Sequence, residues 1–414
     1  MAVNLKKPFT QLLLLLLSYL AAVASEPVSR QELPHDTKQH PILGDLKPEH
    51  FPNEQLYKAY LVIQRFKITI TSDPKNITAT WNGHDICGEK TYLGFYCATP
   101  SGLAAKLTVT QVLLNGFGLH APKLQGFIDQ LPDIALFHAA SNNFGGDIPQ
   151  LSSLPYLYEF NIAKYVMQPL QPSSLGGFIP GIPNPKIPGI SGATDAKALL
   201  LNYNNLSGRL PANLGLSKLS YLALANNKLT GPIPPSIEHL QDSLFEVLLL
   251  NNQLSGCLPH ELGMLHKASV IDAGMNQLTG PIPSSFSCLS SVEQLNLAGN
   301  LLYGQVPDSL CKLGGPSGRL ANLTLSGNYF TSVGPLCAAL IKDGVLDVKN
   351  NCIPGLTNQR KPAECAAFQS QPKTCPAATA QAACPAAAAE SAVAPGERKV
   401  REYSSYVTYA TLHE

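Results

Sequence analysis

Leu222-Ala-Leu-Ala-Asn-Asn-Lys-Leu-Thr-Gly-Pro-Ile-Pro234 is one copy of the frame Leu-x-Leu-x-x-Asn-x-Leu-x-Gly-x-Ile-Pro, and this frame decides the fold. The next copy places Val247, Leu249, Asn252, Leu254, Gly256, Leu258 and Pro259 in the same slots. Ile271, Ala273, Asn276, Leu278, Gly280, Ile282 and Pro283 follow, then Leu295, Leu297, Asn300, Leu302, Gly304, Val306 and Pro307. Further copies centre on Asn142, Asn204, Asn328 and Asn351, and from Asn204 onward the asparagine spacings are 23, 25, 24, 24, 28 and 23. Two degenerate copies, Val112-x-Leu114 and Phe160-x-Ile162, carry Phe117 and Tyr165 in the asparagine slot. About ten repeats are expected, from roughly Leu107 to Gly355. Self-similarity at a fixed period of this length marks a solenoid. Each unit opens on a short strand whose alternate residues point inward. One unit cannot bury its apolar row alone, so neighbours stack into a continuous core. The asparagine satisfies backbone groups where the chain turns inward. The fold class is therefore α/β: a leucine-rich-repeat solenoid with a parallel β-sheet on the concave face and short 3₁₀ or α turns on the convex face.

Both ends of such a stack need covers. Leu56, Tyr60, Ile63, Phe66 and Ile70 recur at helical spacing, and that helix is expected to end near Asp73-Pro74. Cys87 and Cys97 read as a local disulfide of the N-terminal cap; the other reading is a metal or redox pair. Cys352 with Cys365 or Cys375 closes the C-terminal cap, and Cys257 and Cys288 can bridge adjacent repeats, although sequence does not fix connectivity. The stretch between Tyr165 and Asn204 exceeds one ordinary repeat by about 15 residues, read as an irregular insertion over 168–192 that is either a decayed repeat or a projecting loop.

The remaining segments frame the setting. Lys6, Lys7, the apolar run Leu12–Leu20 and Ala22-Val23-Ala24 read as a secretory signal peptide over 1–24, too short to span a bilayer. Residues 25–50 read as a linker, 51–104 as the N-terminal cap, 105–356 as repeats, 357–376 as the C-terminal cap and 377–414 as an Ala/Pro-rich disordered tail. Neither a later transmembrane stretch nor a terminal hydrophobic tail for a lipid anchor is visible. Ten cysteines in an exported chain imply disulfides. Asn76, Asn205 and Asn322 open glycosylation sequons. With a formal net charge of +1 and 14% charged residues, nothing global points to nucleic acid or an anionic membrane.

The regularity narrows to a family once the caps are read. Asp73-Pro74-x-Asn76, Trp81-Asn82-Gly83-x-Asp85-x-Cys87 and Gly94-Phe95-Tyr96-Cys97 resemble the N-terminal region of plant leucine-rich repeat extensins. So do Asn251-Asn252-Gln253-Leu254-Ser255-Gly256-Cys257-Leu258-Pro259 and Glu293-Gln294-Leu295-Asn296-Leu297-Ala298, and the run from Leu346 to Arg360 resembles that family's C-terminal cap. The resemblance covers about residues 51–375. It implies a cell-wall protein whose repeat domain binds small, basic, cysteine-rich signalling peptides of the rapid alkalinization factor type and influences wall growth. The chain departs from that family in lacking a Ser-Pro-Pro-Pro-Pro run, and Tyr403, Tyr406 and Tyr409 are a slender basis for cross-linking.

Aligned on the frame, the outward row of the concave strands offers Glu159, Asn161, Asn202, Tyr203, Glu246, Asp272, Met275, Gln294, Asn296, Thr324, Asp347 and Lys349. Its carboxylates suit a basic peptide, and Tyr203 and Met275 are apolar anchors. The plain alternative is a solvated face. No H-E-x-x-H, G-x-S-x-G, G-x-G-x-x-G or P-loop is present. His138 on the concave face reads as an ordinary surface residue, and the adjacent-rung pair Glu246 and Asp272 lacks a cleft around it. A binding protein without catalytic residues, metal or cofactor is expected. Two other readings are a defence protein resembling polygalacturonase inhibitors and a structural wall component.

Overall fold

The computed structural model describes residues 46–99, 106–163 and 198–376 apart from a few single positions, together with 173–174 and 384. The expected signal peptide, most of the 168–192 insertion and nearly all of the 377–414 tail lie outside the described residues.

The chain winds as a solenoid. Within the described residues, eleven strands form the concave sheet in one spatial sequence: β1 (Phe95–Ala98), β2 (Thr108–Leu113), β4 (Leu136–His138), β6 (Glu159–Asn161), β8 (Ala198–Leu200), β10 (Tyr221–Ala223), β12 (Glu246–Leu248), β14 (Val270–Asp272), β16 (Gln294–Asn296), β18 (Asn322–Thr324) and β20 (Leu346–Asp347). Only β1, from the N-terminal cap, runs antiparallel. The others pair parallel and without a slip, as in Leu222↔Val247 and Val247↔Ile271. The Gly-x-Ile-Pro element lays down a second sheet from β7 (Ser173–Ser174), β9 (Leu206–Arg209), β11 (Lys228–Gly231), β13 (Gln253–Cys257), β15 (Gln277–Gly280), β17 (Leu301–Val306) and β19 (Tyr329–Val333). A third pair joins β3 (His120–Ala121) to β5 (Asn143–Phe144). The convex side carries 3₁₀ turns such as Pro235–Leu240, His260–Met264 and Ser284–Cys288.

Alternate strand residues make one core. Leu222, Leu224, Val247, Leu249, Ile271, Ala273, Leu295 and Leu297 all point inward and are buried. The asparagine ladder ties each rung to its neighbour. Asn252 Nδ2 donates to Leu224 O at 3.0 Å and Leu249 O at 3.1 Å, and its Oδ1 accepts the Leu229 N–H at 3.0 Å. Asn227, Asn276, Asn300, Asn328 and Asn351 repeat the pattern. One side chain thus satisfies donors and acceptors that the inward turn strips from the sheet, and each would otherwise cost roughly 1–3 kcal/mol.

The N-terminal cap opens on α1 (Glu54–Lys67), where Asn53 Oδ1 accepts the Leu56 N–H at 3.0 Å. Leu56, Tyr60, Ile63 and Phe66 bury against the first rung. The helix stops at Lys67, short of the expected Asp73-Pro74. The β-branched run Ile68-Thr69-Ile70-Thr71 disfavours helix, and the chain pairs instead, with the Thr71 N–H donating to His120 O at 2.8 Å. Trp81 is fully buried, its indole N–H donating to Leu93 O at 2.9 Å. At the other end α2 (Asp308–Cys311) and α3 (Pro335–Lys342) are bridged by Cys311–Cys337, and α4 (Pro362–Gln369) is pinned by Cys352–Cys365. Arg360 lies over the Tyr329 ring at 4.2 Å and donates from Nε to Asn328 O at 2.8 Å, closing the last rung.

Cys87 bonds to Cys97. Cys257 and Cys288 do not bond each other. Cys257 pairs with Cys375 and Cys288 with Cys384, so the chain beyond the C-terminal cap doubles back to two middle repeats.

Candidate functional site

The concave sheet presents three outward rows. The first runs Ala198, Tyr221, Glu246, Val270 and Gln294, and the second runs Leu200, Ala223, Leu248, Asp272 and Asn296, each neighbour in direct register. A third row, just past the strands, contains Asn202, Ala225, Leu250, Gly274 and Ala298. Glu246 stands opposite Val270 and Asp272 opposite Leu248, so the two carboxylates sit diagonally rather than face to face.

This face was expected to be open throughout, and it is not. Glu246 is 3% exposed and Asp272 1%, and Asn202 and Gln294 are likewise buried. Around them Leu200, Ala223, Ala225, Leu248 and Val270 form a second apolar cluster, separate from the core, with Ala198, Tyr203, Tyr221 and Leu250 packed on it. Toward the ends of the same sheet, Gln111, Leu113, Leu136, His138, Glu159 and Asn161 on one side and Asn322, Thr324 and Asp347 on the other are half-exposed. Strand geometry cannot distinguish these groups of outward residues. Their local composition and what lies over them can.

Several expected site residues also serve the backbone. Asn161 Oδ1 accepts the Ala163 N–H, Asp272 Oδ1 that of Gly274, Asn296 Oδ1 that of Ala298 and Asp347 Oδ1 that of Lys349, each at 3.0 Å. Asn202 Oδ1 accepts the Ala225 N–H at 2.8 Å. A side-chain oxygen here closes the strand's end. Thr324 donates its hydroxyl to Asn322 Oδ1 at 3.1 Å, and exposed Lys349 approaches Asp347 at 4.0 Å. His138 Nε2 meets Glu159 Oε1 at 2.7 Å on adjacent rungs. Tyr221, in the first of these rows and in register with Glu246, is pushed up to about 12 by burial first and by the Glu246 and Glu159 charges second. The described residues contain no grouping of three or more His, Cys, Asp or Glu side chains suited to a metal.

Backbone conformation supplies a signal the periodicity did not. The residue before each ladder asparagine adopts a left-handed φ: Asn226, Asn251 and Asn350 lie at 56°, 52° and 56°, and Gly299 and Gly327 at 64° and 72°. Gly and Asn tolerate that region; bulky side chains do so at a cost. Yet Tyr203 holds φ 56° and Met275 φ 51°. Met275 is 57% exposed, and its sulfur lies over Gly299, where any Cβ would collide with it. Ser141, before Asn142, holds φ 58° with a small side chain, so the bulky exceptions are Tyr203 and Met275, and strain kept at them is a functional pointer.

Of the three sequons, Asn76 lies exposed on a turn before a 3₁₀ segment and Asn322 on the concave strand β18. No helix among the described residues is long and apolar enough to cross a membrane.

The Leucine Rich Repeat family model matches residues 218–240 and 291–313. Leucine-rich repeat extensin-like protein 6 of Arabidopsis thaliana is 35% identical over 243 residues, covering 56% of this chain and 50% of that protein. Leucine-rich repeat extensin-like protein 2 of the same plant is 36% identical over 235 residues, covering 54% of this chain and 29% of that protein. The chain therefore matches half or less of the length of these relatives. Among solved structures, the leucine-rich-repeat ectodomain of the Arabidopsis thaliana membrane receptor kinase GASSHO1/SCHENGEN3, in complex with CASPARIAN STRIP INTEGRITY FACTOR 2, superposes with a TM-score of 0.55 at 25% identity, covering 71% of this chain and 33% of that chain.

Proposed function

We propose that this leucine-rich-repeat chain, similar over its repeats to plant extensin-like proteins, acts outside the cell as a binding protein that grips a basic, cysteine-rich signalling peptide on its concave sheet. The carrying observation is the pair of bulky residues Tyr203 and Met275, held in left-handed backbone on the rim of that face where the other rungs use Gly, Asn or the small Ser141. Met275 is 57% exposed, and both side chains present contact area to a ligand. The half-exposed Glu159 and Asp347 toward the ends of the face offer acidic contacts to a cationic partner, while Glu246 and Asp272 are buried in its middle. The receptor-kinase ectodomain that shares the fold was solved in complex with a separate factor, which supports a binding role for this repeat class. Attachment to the wall and influence on wall growth follow from the extensin-like resemblance and belong to this proposal. The chemistry in view is recognition rather than turnover.

Titration calorimetry of a basic, disulfide-bonded secreted peptide onto the full chain tests this. The native chain is expected to bind, and Tyr203→Asn with Met275→Asn is expected to weaken binding about tenfold or more while leaving unfolding cooperative. Equal affinity in the native and doubly substituted chains refutes the role of the rim. Inhibition of fungal pectinases by the purified chain would favour the defence reading instead.

A further inference from the structure

We infer that Asn322, on the concave strand β18, carries an N-linked glycan that covers the C-terminal end of the concave sheet and leaves the N-terminal end as the surface a protein ligand can reach. The inference rests on the extracellular placement in the binding proposal but not on any particular ligand.

The first observation is position. Asn322-Leu323-Thr324 is a sequon laid along a strand. Alternation turns Leu323 into the core, where it is fully buried, and sets Asn322 and Thr324 side by side on the concave face. Thr324 donates its hydroxyl to Asn322 Oδ1 at 3.1 Å, so a sugar on Nδ2 leaves that bond intact. Asn322 is half-exposed and continues the outward row after Gln294, its partner in register. The other sequons lie off this face. Asn76 precedes a 3₁₀ turn of the N-terminal cap, and Asn205 precedes β9 of the second sheet.

The second observation is the setting. Around Asn322 the outward residues Asn296, Thr324, Ser326, Asp347 and Lys349 are polar and at least half-exposed, and none of them is an apolar anchor. Glu293, whose carbonyl accepts the Asn322 N–H at 3.1 Å, also approaches the exposed Arg319 at 3.9 Å. Hydroxyls, amides and charges of this kind donate to and accept from sugar hydroxyls. At the N-terminal end, by contrast, Leu113 and Leu136 are half-exposed beside His138 and Glu159. Apolar area rimmed by polar groups is what a protein partner buries. The two ends are alike in exposure and differ in what suits them.

The third observation is the compartment and its chemistry. The ten cysteines form five disulfides, the mark of an oxidising, export-linked setting, where sequons are modified. There Asn322 Nδ2 attacks the anomeric carbon of an oligosaccharide carried on a lipid pyrophosphate. The carbon–nitrogen bond forms, the bond from that carbon to the pyrophosphate oxygen breaks, the amide loses one proton and the lipid pyrophosphate leaves. Neighbouring rungs are only about 4.8 Å apart, so a bulky branched glycan rooted on β18 also overlies β16 and β20. Small reagents pass beneath it, whereas a folded peptide does not.

Mass-spectrometric peptide mapping of the full chain, expressed in plant cells and recovered from their extracellular fluid, tests the modification. The Asn322 peptide is expected to carry hexose and N-acetylhexosamine mass in most molecules. A bare Asn322 overturns the inference; in a chain recovered outside the cell it leaves the extracellular reading standing, whereas a chain that stays inside and is bare fails both. Coverage has its own readout, the carbodiimide coupling of a bulky amino-polyethylene glycol to Asp347. Coupling is expected to rise severalfold in the Asn322→Gln and Thr324→Val chains, each of which loses the sequon, and to stay unchanged at the exposed Glu54 of the N-terminal cap. Enzymatic removal of the glycan from the folded native chain gives the same comparison without a substitution. Equal coupling at Asp347 with and without the glycan overturns the covering role.

Discussion

The middle of the concave sheet, β8 to β14, and its two ends are built on one backbone plan and diverge only in the row that faces away from the core. Inward, Leu199, Leu222, Val247 and Ile271 of the middle are as buried as Val112 and Leu323 of the ends. Outward, the middle is small, apolar and hidden, while the ends are polar and half-exposed. The inward row is under a packing constraint shared by every rung, so it carries the fold. The outward row is not needed for stacking, so its composition carries information about what the molecule meets.

That contrast can be tested at several strengths. One large effect is expected from removing the bond that is specific to the middle. Cys257→Ser with Cys375→Ser opens a link across 118 residues and should lower stability by roughly 2–4 kcal/mol in denaturant unfolding.

The ladder should show no such contrast. Asn276→Leu in the middle and Asn142→Leu near the N-terminal end each strand several buried backbone groups, and each should destabilise by about 1–3 kcal/mol per orphaned group in equilibrium unfolding. A loss confined to one of the two positions would break the claim that the inward side is uniform.

Alkaline pH separates the regions more gently. Tyr158 and Tyr221 are both raised from 10.0 to about 12, chiefly by burial. The unfolded chain therefore ionises them first, and their contribution to stability is intact below pH 10 and lost as pH rises from 10 to about 12. Phenolate absorbance should show these two tyrosines ionising above the ordinary phenol range, and Tyr221→Phe should flatten the alkaline fall in melting temperature. An unchanged fall would mean that Tyr221 is not held against Glu246 and Glu159.

The smallest effect tests the strained rim. Met275→Asn should stabilise by about 1 kcal/mol, because Asn tolerates the left-handed backbone, whereas Gly327→Met at the far end should destabilise by a similar amount. Matching thermal-unfolding shifts of opposite sign support strain kept for contact; a destabilised Met275→Asn chain shows instead that the methionine is there for packing over Gly299.

Much of the fold was legible in the sequence because its causes are local and periodic. The spacing of Leu222, Leu224 and Asn227 states both which residues turn inward and which side chain mends the turn. The bonds Cys87–Cys97 and Cys352–Cys365 join residues 10 and 13 apart, inside segments that already read as caps. What was not legible depends on distant chain. Nothing near Cys288 announces a partner 96 residues away. The helical spacing through Ile70 did not reveal that Thr71 would pair with His120 and end the helix early. The frame named Glu246 and Asp272 as outward, and outward they are, but exposure is set by whatever lies above a residue, which a repeat pattern does not contain. The left-handed slot was readable in hindsight: where Asn226, Asn251, Gly299 and Gly327 agree, Ser141 departs with a small side chain and Tyr203 and Met275 with bulky ones.

The most direct test of the difference between middle and ends is carboxyl labelling of the native chain with a carbodiimide and an amine, resolved residue by residue in one sample. Glu246 and Asp272 should react at least about tenfold more slowly than Asp347, an opening free energy of at least about 1.4 kcal/mol. Equal rates at the three carboxylates would mean that the middle of the concave sheet is as open as its end, and would contradict the account.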